Sequence, residues 1–497
     1  MSVLGLDVGT STCKGVVISE SGDILGQHQA AYAHEVQLRD GAAELPAGVF
    51  WDSVVRVVRT LASAADGTDP VEALAVSSHG ETLIPMDAEG NPLCSAMLSM
   101  DRRCGEEAAQ LEERVGRERI YAITGAMMHP QFPVPKIMWL QNNRPDLAGR
   151  VHHYASAQDF IYEKLGFPQK ADRSTASRFG GLDIRTGSWS QEILSAAGIA
   201  PRLLPEPVWG GTALGVIPAS IAGGLGLREN VLAVVGGHDQ PCAAIGMGVQ
   251  DQAVITVSAG SYECAARATR EPLNNSLGMR YGLNSYCHVL ENQYITLAFF
   301  VSGMMVQWYL DTFCGEEKAA AARENIGVHQ WMESRAVRKP TGVCITPHIF
   351  GSMNPEWSEK ASAKVTGLTA GITKADLYRA VLEGNCCELD LNLRVLERLT
   401  GPADALCMTG GGTRSDCWMH LRADITGKEI TVIEDGAEAS CVGAAILAGM
   451  GLGIFAGPED VNAKLRRNTR IYRPEHPEAY ARQKDVYLTL HKAGLLD

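Results

Sequence analysis

No two of the 13 cysteines stand in a C-x-x-C spacing, and their number is odd. Neither a zinc site nor a disulfide framework is expected, and the thiols read as reduced and mostly buried, which fits a cytoplasmic protein. No run of lysine and arginine resembles a nucleic-acid or membrane patch, and the formal net charge is -13. A chain so acidic has no long-range field to draw in polyphosphates, so local backbone donors and metal must hold any that it binds. No G-x-x-x-x-G-K-[ST] string occurs, which excludes a P-loop. Ser11-Thr12-Cys13-Lys14 fits S-x-x-K, but no K-T-G partner exists, and acyl transfer is excluded with it. The opening MSVLGLDVGT carries no basic stretch or cleavage site, so no secretory leader is expected. The longest apolar stretch, residues 294–310, is interrupted by Ser302, Gly303 and Gln307. It is too short and mixed for a membrane span and reads as a buried helix.

What is present suits an α/β enzyme. The 497 residues are 45% hydrophobic and 20% charged, with 52 glycines, and need two large domains or more. Residues 3–31 read as three strands joined by two turns. A helix follows over 51–65, with Val54, Val55, Val58 and Leu61 on one face. Apolar strands then recur at 73–77, 232–235, 253–257 and 406–408, and a long helix spans 373–399 with a capping box from Thr373 to Asp376. The turns after Leu6 and after Val257 echo one another, each a strand that empties into small residues and returns. This suggests a duplicated core, divided as 1–246 and 247–497.

Phosphates need backbone N–H groups in a concave turn that small residues let a ligand approach. Four turns qualify, all at the ends of apolar strands: Gly9-Thr10-Ser11, Gly236-Gly237, Gly260-Ser261 and Gly410-Gly411-Gly412. Asp7 and Asp239 also sit where a strand meets a glycine turn. Phosphoryl transfer asks for one carboxylate to organise Mg²⁺ and another to accept a hydroxyl proton.

Longer stretches carry a resemblance. Leu6-Asp7-Val8-Gly9-Thr10-Ser11, Pro135-Lys136-Ile137-Met138-Trp139-Leu140 and Ala363-Lys364-Val365-Thr366-Gly367-Leu368 are joined by Ala380-Val381-Leu382-Glu383 and by Tyr480 and Tyr487. Together they resemble the FGGY carbohydrate kinases, the family of xylulokinase and glycerol kinase, over nearly the whole chain. The resemblance implies two actin-like (ribonuclease-H-like) α/β domains, each a mixed central sheet flanked by helices, with ATP and sugar in the cleft between. It makes Asp239 the catalytic base and Asp7, with Asp239, the carboxylates near Mg²⁺. Thr10, Ser11, Gly260 and Ser261 correspond to phosphate turns, Gly303 and Gln307 to a nucleotide-side helix, and Gly411, Gly412 and Ser415 to the adenosine pocket. Lys136 and Trp139 belong to a signature whose part is structural.

On the sugar side the resemblance points to His79, Glu81, Asp101, Arg103 and Gln240. His79-Gly80 is xylulokinase-like, whereas Glu81-Thr82 and Gln240 are glycerol-kinase-like, and Ser99 stands where both relatives have a tryptophan. The expectation is an Mg-ATP-dependent kinase for a small neutral ketose or polyol. The rivals are glycerol kinase, against which Gly80 argues because an arginine is wanted there, and an actin-like ATP-binding regulator, which would not need Asp239. No nucleic-acid or membrane partner is expected. The oligomer stays open, with a homodimer as one candidate.

Overall fold

A computed structural model describes residues 1–65, 69–249, 253–434, 438–465 and 467–494. Its first sheet holds β1 (Ser2–Val8), β2 (Thr12–Ser19), β3 (Ile24–Ala31), β4 (Val71–Ser78), β5 (Ala213–Val216) and β6 (Leu232–His238). Their spatial order is β5-β6-β4-β1-β2-β3. β4 pairs in parallel with both β1 and β6, whereas β2 runs antiparallel to β1 and β3, and β5 to β6. All seven residues of β1 are buried. That is the pattern of a central strand covered on both faces, and it explains the unbroken apolar run in the sequence.

The second sheet repeats the plan. It holds β7 (Val254–Ala259), β8 (Tyr262–Thr269), β9 (Asn284–Cys287), β10 (Tyr294–Val301), β11 (Ala405–Thr409), β12 (Glu429–Ile433) and β13 (Thr469–Tyr472). The order is β9-β10-β8-β7-β11-β12-β13. β7, β8 and β10 form an antiparallel meander as β1, β2 and β3 do. β11 and β12 extend it in parallel as β4 and β6 extend β1, and β13 closes the edge antiparallel as β5 does. The echo between the two small-residue turns is therefore a repeat of topology.

The helices that bear on the site are α1 (Gly48–Ala65), α2 (Arg173–Ser177), α3 (Asp239–Gly246), α4 (Gly303–Phe313), α5 (Lys374–Thr400), α6 (Asp416–Thr426), α7 (Ala439–Leu452) and α8 (Ala481–Gly494). α1 buries Val54, Val58 and Leu61 as expected, but Val57 rather than Val55 completes the face. α5 begins with the expected capping box, in which Thr373 accepts from the Asp376 N–H and Asp376 from that of Thr373. The 294–310 stretch corrects the sequence reading, because it is a strand and then a helix. Residues 294–301 pair one by one with β8, and Ser302, at φ -144 and ψ -90, breaks the chain before α4 starts. An apolar run of this length does not reveal its period when both halves are buried. No helix of the described residues is long and apolar enough to cross a membrane.

α3 and α7 cross where the two sheets meet. A Cβ on Gly246 would lie 1.8 Å from the Ala439 carbonyl oxygen, and one on Gly443 1.9 Å from that of Cys242. Bare backbone is thus the only surface that fits at this crossing. α7 also covers Val3, Ala73, Ala75 and Val234 of the first sheet.

Candidate active site

β1 and β6 flank β4 in the first sheet. Asp7 lies near the end of β1 opposite Ser77 of β4, whose hydroxyl donates to Asp7 Oδ1 at 3.1 Å. Asp239 follows β6 directly as the first residue of α3. A cavity of about 110 Å³ sits between the halves, with Asp7, Asp239 and Gln240 on one side and Thr256, Ser258 and Thr409 on the other. A second cavity of about 340 Å³ shares Thr409 and runs past Gly410 and Gly411 to Arg414 and Arg470.

Burial, with Asp7 and Glu81 nearby, pushes the Asp239 carboxyl up to about 8, although Gln240 bonds to it. The side chain still has 32% of its surface open, while its Oδ1 is buried without a hydrogen-bond partner. A carboxylate with a pKa so close to neutral is matched to taking a proton from a hydroxyl. Burial and Glu438 also raise Asp7, to about 6, against the pull of Lys14 and Ser77. Lys14 of β2 reaches across to Glu438, just before α7, at 2.5 Å.

On the other side of Asp239, Glu81 is nearly buried and receives both Nε and a terminal nitrogen of Arg178 on Oε1, at 2.7 and 2.5 Å. Burial works to raise Glu81, yet the Arg178 guanidinium holds it down, at about 2. Arg178 stands just after α2 and is sandwiched between the rings of Phe132 and Tyr286. It also fills the space over Gly80, where an added Cβ would meet the Arg178 Cγ at 2.5 Å. His79 has both nitrogens engaged within the protein. Its Nδ1 donates to the Val8 carbonyl at 2.8 Å, so Nε2 accepts from the Thr82 hydroxyl at 2.5 Å. Asp101 is fully buried and binds the Ala43 and Arg103 N–H groups as well as the Arg103 guanidinium. Arg103 continues to Glu44 at 2.7 Å and lies over Trp139. Lys136, buried, donates to the carbonyls of Glu81 and Leu98, each at 2.7 Å. This is the structural part expected of it, since it fixes the backbone that carries Glu81.

Thr10 and Ser11 occupy the β1–β2 turn, closed by the Gly9 N–H on the Thr12 carbonyl. Gly260 and Ser261 occupy the β7–β8 turn, and the Gly303 N–H donates to the Gly260 carbonyl, so α4 starts against that turn. Gln307 is exposed on α4 and donates to Asp311. Gly411 lines the larger cavity, and Gly412 follows it. The Ser415 hydroxyl is spent as the N-cap of α6 and in donating to Glu333 at 2.7 Å.

Profiles of one family cover most of the chain: the FGGY family of carbohydrate kinases, N-terminal domain over residues 2–246 and C-terminal domain over residues 255–452. The chain belongs to the FGGY family of carbohydrate kinases. A gluconokinase of Bacillus licheniformis is 27% identical over 99% of this chain and 96% of its own. A xylulose kinase of Staphylococcus xylosus is 23% identical over 98% and 99%. Among solved structures, Plasmodium falciparum glycerol kinase with ADP superposes with a TM-score of 0.87 at 21% identity, covering 100% of this chain and 98% of that one. The protein is thus an ATP-dependent carbohydrate kinase with the two-domain actin-like fold.

Several residues of this FGGY kinase site escaped the sequence reading. Arg178 is 97 positions from Glu81, and nothing local marks the pair. Tyr286, from the second sheet, bonds His238 Nδ1 at 2.8 Å. Burial drops His238 to about 3, so its ring is neutral, with Nε2 3.2 Å from Asp239 Oδ1. Only His238 had a legible signal, its place beside Asp239 at the end of an apolar strand.

Proposed function

We propose that this kinase phosphorylates a hydroxyl of a small neutral ketose or polyol, xylulose-like and of about four to six carbons, with Asp239 as the base. The observation that carries the reading is Asp239 itself, a carboxylate between the two halves whose pKa, about 8, suits proton acceptance. The hydroxyl gives its proton to Asp239 as its oxygen takes the γ-phosphoryl group of ATP, and ADP leaves. The turns at Thr10-Ser11 and Gly260-Ser261 supply backbone donors for the phosphates, and closure of the cleft keeps water from replacing the sugar.

The donor set fits Mg²⁺. Asp7, Asp239 and Glu438 face one cavity together with the hydroxyls of Thr256, Ser258, Thr409 and Ser440, the hard oxygen ligands that this ion prefers. When bound it would neutralise the charge that spreads over the phosphoryl oxygens. Asp7 would hold it, through water, with Asp239 beside it.

The case for a neutral substrate rests on cancelled charge. Glu81 is paired with Arg178, and both Asp101 and Glu44 with Arg103, so neither guanidinium is left free to hold an anionic substrate. His79 and Asp101 shape the wall, because their polar atoms are already engaged. Glycerol kinase is the weaker reading, since Arg178 already occupies the space over Gly80. The 13 unpaired cysteines suit a cytoplasmic enzyme. A sugar acid is the second reading, favoured by the gluconokinase relative and by exposed Arg102, close enough to add to the burial that lowers the His129 pKa. The test is a screen of ATP consumption together with recovery of the sugar phosphate, across ketoses, polyols and sugar acids. A neutral sugar as best substrate, with Arg102→Ala costing under about threefold, fits the first reading. A sugar acid whose kcat/KM falls by about tenfold or more in Arg102→Ala replaces it with the second. ATP hydrolysis without any sugar phosphate refutes both.

A further inference from the structure

In the C-terminal half, α8 lies beside α5, and the segment that follows the strand Cys344–Ile345 passes by them. Glu388 of α5, His491 of α8 and His348 of that segment meet there, at 1%, 3% and 2% exposure. None takes part in the phosphoryl-transfer site. Among the described residues, the only basic groups within ion-pair reach of Glu388 are these two imidazoles. The Tyr487 hydroxyl donates to the same carboxylate. A carboxylate this deeply buried needs a positive partner, because its own desolvation is costly. That partner is either a proton on one imidazole or a metal ion.

The geometry favours the metal. His348 Nε2 is 3.5 Å from Glu388 Oε2, and His491 Nε2 is 3.9 Å from Oε1. Neither nitrogen makes a hydrogen bond, although both are buried, and His348 Nδ1 makes none either. A charged imidazolium would sit on the carboxylate at hydrogen-bond distance. Instead one ligand atom from each residue lies within 4.8 Å of the others around a common point, and the two rings stand edge to face 5.0 Å apart. Zn²⁺ bonds of about 2.0–2.1 Å separate tetrahedral ligands by about 3.3 Å, so shifts of about an ångström close the set. Tyr487 precedes His491 by one helical turn and lies on the same face of α8, as a further donor. Two imidazoles and one carboxylate select a transition ion, whereas the Mg²⁺ of phosphoryl transfer prefers oxygen ligands alone.

We propose that His348, Glu388 and His491 form a buried site for zinc or a similar divalent transition metal, which staples the last helix to α5. The test uses the full chain stripped with a chelator, reduced, and dialysed against Zn²⁺, Co²⁺ or Mg²⁺. Elemental analysis should find about one Zn²⁺ or Co²⁺ per chain, and Co²⁺ should give visible d–d bands of tetrahedral ligation. Zn²⁺ should raise the unfolding temperature, and Mg²⁺ should not. Glu388→Gln and His491→Gln should each weaken Zn²⁺ binding at least about tenfold. The unaltered chain decides the matter if a variant fails to fold. No Zn²⁺ or Co²⁺ retained, and no thermal shift, overturns the site in favour of a protonated pair. Equal binding by the unaltered chain and both variants overturns it as well.

Discussion

Asp239 is where the site's chemistry and its stability pull in opposite directions. Its folded pKa, about 8, lies far above the ordinary carboxyl value, so the folded chain holds a proton there that the unfolded chain has released. Stability therefore drops as pH climbs from the ordinary carboxyl range through about 8. Asp239→Asn removes that penalty while it removes the base. Turnover should fall by about 10²–10⁴-fold, and the unfolding temperature at pH 7 should rise, measured by calorimetry beside steady-state kinetics. A variant that keeps a tenth of the wild-type turnover is not missing its base. In the intact enzyme, kcat/KM should climb with pH up to about 8, since the free enzyme's base must first lose its proton. A profile flat from pH 6 to 9 contradicts this. At the same scale, Arg178→Gln should destabilise strongly, by about 3–5 kcal/mol, because Glu81 keeps a buried charge without its partner. Denaturant titration at pH 7 measures this, and a change under about 1 kcal/mol would mean that the pair is dispensable. The contrast between Asp239 and Arg178 shows where the sequence stops being legible. Asp7 and Asp239 stand where an apolar strand meets a glycine turn and announce themselves by position. Arg178 announces nothing, because what matters is the fold that brings it over Gly80.

Single elements were legible where local chemistry decides them. Thr373 and Asp376 specify the start of α5 through hydrogen bonds that span three residues, and the structure has both. Thr373→Ala should therefore lower the unfolding temperature by about 2–4 °C, for the roughly 1 kcal/mol that such a cap contributes in a domain of this size. Differential scanning calorimetry reads the change, and an unaltered midpoint would show that Asp376, which also accepts from the Val337 N–H, suffices alone. The 294–310 stretch was illegible for the opposite reason. Nothing in its composition distinguishes β10 from α4, and pairing with β8, distant in sequence, chooses between them.

At the scale of the whole molecule, Lys14 and Glu438 pair across the cleft between the sheets, and α3 and α7 cross at bare backbone beside it. Closure over substrate should shrink the molecule. Small-angle scattering should give a smaller radius of gyration with sugar plus a non-hydrolysable ATP analogue than with either alone. An unchanged radius would mean that the cleft is already set at its working width. The repeated sheet plan was visible in outline from two turns, but the way α7 crosses back onto the first sheet was not.

That return has a consequence for how the protein is made. Val3, Ala73, Ala75 and Val234 emerge from the ribosome early, yet the residues that cover them, Cys441 to Leu447, are synthesised only when most of the chain is out. Translation at about 5–20 residues per second leaves one face of the first sheet bare for about ten seconds or more. For that interval the nascent half-molecule offers an apolar surface to any chaperone, or any neighbour, that reaches it before its own helix does.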